Sequence, residues 1–261
     1  MKKTFIYLGL IIGGIIFAYP FVWMISASLK PEIEIGQLAL WSSNFSLDNY
    51  KQVVDKIPIW RSLLNSLFVS LTTTASVIFF GSIVGYALAR LKFVGREIVF
   101  NIILFTMVIP FQIIMIPMYI LMVKFGWVDT YLALIVPAMI NAFGILLFRQ
   151  YYLDIPEDLV DAARIDGCND FQILFKIFWP ISRPVVITVG IISFMQNWNK
   201  VLWPLIVIRV RELMTMPQMV TIFATGGQAE SQLGAQLAAA TLLALPIIAV
   251  YAFFQKYFIE S

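Results

Sequence analysis

Residues 149–183 hold the densest group of ionisable side chains in this 261-residue chain. Asp154, Glu157, Asp158, Asp161, Asp166 and Asp170 stand among Arg149, Arg164, Lys176 and Arg183. Acid–base or nucleophilic chemistry from such a group would normally call on histidine or a reactive thiol. The chain has no histidine and one cysteine, Cys168, which removes Ser-His triads, histidine proton relays and most zinc sites. One cysteine also excludes an internal disulfide. What remains for these charges is recognition of another macromolecule or plain solvation. A second group is amide-rich: Gln196-Asn197-Trp198-Asn199, with Gln112, Asn141 and Asn65 isolated in other apolar runs. Amides inside an apolar span need partners, and an aromatic beside them can stack on a sugar ring. Asn197, Trp198, Asn199, Gln112 and Asn141 are therefore candidates for a substrate pathway. Interhelical bonding, with Trp198 and Trp203 as interface anchors, is the competing reading.

The elements that position these groups are apolar. Hydrophobic residues make up 61% of the chain and charged ones 13%, with a mean hydropathy of +0.88. Soluble domains carry roughly 25% charge. The net charge of +3 is scattered, with no basic run to suggest nucleic acid. Uncharged runs cover 4–29, 62–89, 98–123, 130–148, 184–208 (interrupted only by Lys200) and 231–255. About 20 apolar residues cross a bilayer as a helix, and alternating strand patterns are absent. The expected fold class is an all-α integral membrane protein of six transmembrane helices forming one domain over 1–261. The first run exceeds a signal-peptide core and reads as an uncleaved helix. Ten of the 18 basic residues fall on the cytoplasmic side if both termini are inside, three of them in the tight turn 90–97. This favours cytoplasmic termini. Pro110 and Pro117 are expected to bend the third helix. Gly81, Gly85 and Ala89, like Gly9 and Gly13, are spaced for close helix packing.

Under that topology 149–183 is cytoplasmic. Pro156, Glu157 and Asp158 suit the first turn of a short helix, and Gly167 suits the left-handed residue that ends it. Asn169 and Gln172 are spaced as a capping box for a second helix, expected to end before Pro180. Phe171, Leu174, Ile177 and Phe178 would share its apolar face. Solvation alone does not require a helix–Gly–helix with a paired-alanine face.

The stretch Asp161-Ala-Ala-Arg-Ile-Asp-Gly167, followed by Ile177-Phe-Trp-Pro180, resembles the EAA loop of binding-protein-dependent ABC importer permeases. Asp161 replaces the family's glutamate and Trp179 its leucine. The likeness extends to "GYALAR" (85–90), "IPFQIIMIPMY" (109–119), "DTYLALIVP" (129–137), "NWNKVLWPL" (197–205) and "AAATLLALPI" (238–247). These are similar to the second permease subunit of maltose-type importers. The resemblance implies a coupling loop between helices 4 and 5, with Asp161, Ala162, Ala163, Arg164, Asp166, Gly167, Cys168 and Phe171 docking on an ATPase subunit. It implies four kinds of partner: a second homologous permease, two ATPase subunits or domains, an extracytoplasmic binding protein, and the lipid bilayer. It also implies that Thr225, Gly226, Gly227 and Gln228, in the outer segment 224–232, contact the binding protein. An ordinary connecting loop is the alternative there.

No G-x-x-x-x-G-K-[ST] is present, so ATP and Mg²⁺ are expected in the partner ATPase and no cofactor or metal in this chain. The spans lack the ionisable groups of a gradient-driven relay, and Lys200 is expected to snorkel to the outer interface. A membrane enzyme is disfavoured by the absent histidine and absent in-membrane carboxylate pair. The expected function is a non-catalytic permease subunit of an ATP-driven sugar importer, coupled through 154–180. The alternative cargo is a glycerol phosphodiester or a polyol.

Overall fold

A computed structural model of the chain describes residues 2–36, 39–42, 44–226 and 232–259. The first apolar run folds as α1 (Lys2–Ser28), whose apolar window is 0% buried. Gly9 and Gly13 face open space, so the close contact expected there is not made within this chain. One helical turn (Glu32–Ile35) and the amphipathic α2 (Asp48–Lys56) lead to α3 (Ile59–Arg90). At 1.5 Å per residue α3 is roughly 48 Å long. Its small residues do pack: a Cβ added at Gly85 would stand 2.7 Å from Phe148 Cβ and 2.9 Å from the Arg149 nitrogen.

α4 (Arg96–Thr106) and α5 (Phe111–Lys124) meet at 98°, so the third run is broken rather than curved. Pro110 caps α5 in an extended conformation and supplies that break, whereas Pro117 sits inside α5 without ending it. α6 (Tyr131–Ile135) and a 3₁₀ turn lead to α7 (Ala142–Leu153), which continues the fourth run past its expected end at 148. Three described helical stretches, Lys3–Ser28, Ile59–Arg90 and Tyr131–Leu153, are long and apolar enough to cross a membrane. Two bent pairs would raise the number to five, and Leu233–Ala249 is a shorter apolar stretch.

The polar segment forms α8 (Glu157–Ile165) and α9 (Asp170–Ile181). α9 does not stop before Pro180. A π turn over Leu174–Phe178 resets the hydrogen-bond register, so the proline falls at the start of a fresh turn where its missing N–H costs little. The chain then bends by 83° into α10 (Arg183–Trp198). The fifth run was expected to be one helix to Ile208, but it ends at Trp198 and resumes as α11 (Leu202–Val207). Pro204 cannot donate to the Lys200 carbonyl, and the Asn197 and Asn199 amides bond back to Ser193 O and Met195 O, ending the turn locally. α12 (Met216–Thr225) and α13 (Leu233–Ile259) complete the chain.

The apolar interior lies along α3. At its Arg90 end Tyr86, Phe148, Tyr152, Ile155, Val160, Ile173 and Phe178 form one cluster. At its Ile59 end Val53, Met219, Phe223 and Ala238 form another. Glu32 closes that end by accepting from the Leu233 and Gly234 amides, capping α13 with a carboxylate where its dipole is positive.

Candidate functional site

The α8–α9 pair is closed at both termini facing the break between them. Gly167 takes φ +79°, its N–H bonds the Arg164 carbonyl at 3.0 Å, and the Cys168 N–H bonds the Ala163 carbonyl at 2.9 Å. Those two bonds are a complete Schellman motif. Two residues on, Asn169 Oδ1 accepts from the Gln172 N–H and Gln172 Oε1 accepts from the Asn169 N–H, both at 2.9 Å. This is the capping box read from the sequence.

α3 holds the pair from beneath. The Arg90 Nε donates to Tyr152 O at 3.0 Å, and its guanidinium also bonds the Ile155 carbonyl and lies 5.5 Å from the Phe178 ring centroid. It thus caps the carbonyl end of α7, where a cation is favoured. Tyr86 donates to Asp170 Oδ1 at 3.2 Å and Trp179 Nε1 to Ser82 Oγ at 3.0 Å. The tryptophan at this position therefore has a partner for its N–H. Arg149 lies 3.3 Å from Glu97 and 3.8 Å above the Phe100 ring, tying α7 to the start of α4. Arg164 and Asp170 pair at 3.6 Å, but both are about half exposed, and such pairs contribute little.

The outward face of the pair carries Asp161, Ala162, Arg164, Asp166 and Gly167, while Ala163 turns inward and Cys168 is half-buried against the core. Phe171 does not share a face with Leu174. It is 65% exposed, and Ile173 takes its place: across the π turn Ile173 and Phe178, five residues apart, point the same way. Ile165 is 87% exposed. Two large apolar side chains thus stand exposed among charged neighbours, beside caps that fix their backbone.

The amides form a second site. A cavity of about 820 Å³ is lined by Gln112, Asn141, Gln196 and Asn197, with Lys200, Phe111, Phe143 and Trp203. Three helix interruptions, at 107–110, 139–141 and 199–201, all reach its wall. Irregular backbone at membrane depth is tolerated where it lines such a space. Asn141 caps α7, its Oδ1 accepting from the Gly144 N–H at 2.7 Å. Lys200 is not on a helix reaching the interface, as expected, but donates to Asn197 Oδ1 at 2.8 Å and lines the cavity.

Trp198 takes the interhelical role that the sequence set against sugar contact. It is 1% exposed, stacks on Phe194, and donates to Leu243 O at 3.3 Å, so it joins α10 to α13. Asn199 bonds its own helix and does not line the cavity. Asn65 is a brace: its Nδ2 donates to Glu212 O and Met214 O, and its Oδ1 accepts from Tyr131. Phe111, Phe143 and Lys200 also line the cavity without having been candidates for it; no local pattern marks the two phenylalanines, and Lys200 stood out only as the one charge in its run. Thr225 ends α12 and Gly226 caps it, while Gly227 and Gln228 lie outside the described residues.

Broken helices thus border the cavity, and the doubly capped polar pair lies at the Arg90 end of α3. Residues 77–260 match the family described as binding-protein-dependent transport system inner membrane component, and the chain belongs to that family. It is 35% identical to the arabinooligosaccharides transport system permease protein AraQ of Halalkalibacterium halodurans, over 97% of this chain and 92% of the relative. It is 31% identical to the polygalacturonan/rhamnogalacturonan transport system permease protein YtcP of Bacillus subtilis, over 98% and 94%. A crystal structure of a bacterial ABC transporter involved in import of the acidic polysaccharide alginate matches with a TM-score of 0.83. Its identity is 26%, over 98% of this chain and 97% of that one. The chain is thus an inner-membrane permease subunit, non-catalytic as its family is.

Proposed function

We propose that this chain forms half of the translocation pathway of an ATP-driven importer for an oligosaccharide. The six apolar runs cross the membrane with both termini in the cytoplasm, and 149–183 is the coupling loop. α8 and the start of α9 dock on one of two ATPase subunits, which bind ATP and Mg²⁺. A second homologous permease closes the cavity from the other side, and an extracytoplasmic binding protein delivers cargo near 225–228.

The observation that carries this reading is the doubly capped α8–α9 pair, which presents Ile165 and Phe171 outward from a base locked by Arg90. The relatives named for glycan transport supply the cargo class without choosing between neutral and acidic chains. The direct test is retention of the ATPase by detergent-solubilised permease carrying Ile165→Ser and Phe171→Ser together. Exposed apolar anchors dominate such contacts, so retention is expected to fall about tenfold or more. Unchanged retention and unchanged ATP-dependent uptake would remove the docking role from this face.

A further inference from the structure

We propose that Lys200 makes the cavity a site for an anionic sugar, pairing through its ammonium with a uronate carboxylate. This rests on reading the cavity as the translocation pathway. Among the described residues lining the cavity Lys200 is the sole charged side chain, and none is a carboxylate. It interrupts an apolar run in which every other position from 184 to 208 is uncharged. Among the described residues its only recorded partner is the neutral Asn197 Oδ1, which takes one of three ammonium donors. Lys200 is exposed at the cavity wall, and among the described residues no carboxylate pairs with its ammonium.

The wall adds to the same sign. α5 begins at Phe111 and α7 at Ala142, and both first turns line the cavity, so two positive helix ends face the space that Lys200 faces. Gln112, Asn141 and Gln196 can exchange hydrogen bonds with sugar hydroxyls, and the Phe111 ring offers an apolar surface for a sugar face. Behind the lysine lies a water-sized space of about 10 Å³, also lined by Ser66, Ser70 and Thr215. A neutral glycan gains the amide contacts alone, whereas a uronate also neutralises the ammonium. The competing role is local: Lys200 follows the carbonyl end of α10, where a cation stabilises the helix whatever the cargo.

The experiment reconstitutes the whole importer in proteoliposomes: both permeases, the ATPases and the binding protein. It measures initial ATP-dependent uptake of trigalacturonate and of the same trisaccharide with its carboxyls reduced to alcohols. Every arm uses one binding protein, so its preference cancels when variant is compared with wild type. Lys200→Gln is expected to lower trigalacturonate uptake about tenfold, equivalent to about 1.4 kcal/mol, with under about a twofold change for the neutral sugar. Lys200→Arg should retain most anionic uptake. Equal loss of both sugars would overturn the site in favour of the helix-end role. Wild-type uptake of the neutral sugar without the anionic one would also overturn it, leaving the importer reading intact. Uptake of neither would instead defeat the importer reading, and the site with it.

Discussion

The polar segment at the Arg90 end of α3 and the cavity are both interruptions of an apolar chain, built on opposite plans. In the α8–α9 pair the backbone groups freed by the break are satisfied within a few residues, by Gly167, Cys168, Asn169 and Gln172. Around the cavity the interruptions come from three distant stretches, and several of their side chains face space. Closed breaks make a surface that keeps its shape under load. Open breaks make a surface whose polar groups can change partners.

The largest expected effect tests whether the two regions are separable. Arg90→Met keeps the apolar stem but strips the Tyr152 and Ile155 carbonyls of their shared donor. The loss should be about 3 kcal/mol of local stability. Proteolysis between 154 and 170 should accelerate, and ATP-driven uptake should fall more than tenfold. The reactivity of a cysteine placed at Asn197 should not change. If it changes as much as the loop does, the regions are one unit and the contrast fails.

Gly167→Val comes next. A β-branched residue at φ +79° is strained by about 1–3 kcal/mol, with no clash to relieve, because open space surrounds the glycine. Uptake should drop while assembly with the second permease persists, and Gly167→Asn should restore most of it, since asparagine tolerates this conformation. Normal transport by the valine variant would show that the Schellman cap does not serve coupling.

The corresponding change at the cavity is smaller. Asn141→Ala removes the cap of α7 and should lower the melting temperature by the equivalent of about 1 kcal/mol. Asn141→Asp should keep the stability, because the carboxylate also accepts from Gly144. If both variants melt like wild type, the 139–141 break is held by something other than this cap.

Cys168 gives the smallest signal. Half-buried beside the core, it should react slowly with a membrane-impermeant maleimide in inverted vesicles, faster once the ATPase is removed, and not at all from outside. Labelling from outside would invert the topology and end the docking account.

What was legible in the sequence was what is decided locally. Gly167, Asn169 and Gln172 act over three or four residues, so their spacing predicted their geometry. The small-residue stripe at Gly81 and Gly85 was legible for the same reason, because one face of one helix carries it. Trp198 was left open between two roles because an aromatic next to amides looks alike whether it faces cargo or α13, and only the packing of Phe194 and Leu243 decides. Phe171 was misassigned because the π turn inserts an extra residue into the period, which no pattern of apolar residues announces. The cavity was half legible: Gln112, Asn141 and Asn197 stood out as polar, but their convergence depends on breaks that an uncharged run conceals.

α7 has one further consequence. Its first residue follows the Asn141 cap at the cavity wall, and its last turn is gripped by Arg90 beside the α8–α9 pair. Twelve residues separate the two, about 18 Å of helix. Gly144 sits against Val77 and Gly85 against Phe148 at near-contact distances, leaving α7 little room to slide or rotate against α3. The helix is therefore a strut seated against α3. The distance from the Asn141 cap to the turn gripped by Arg90 is thereby set by the fit of one helix against its neighbour.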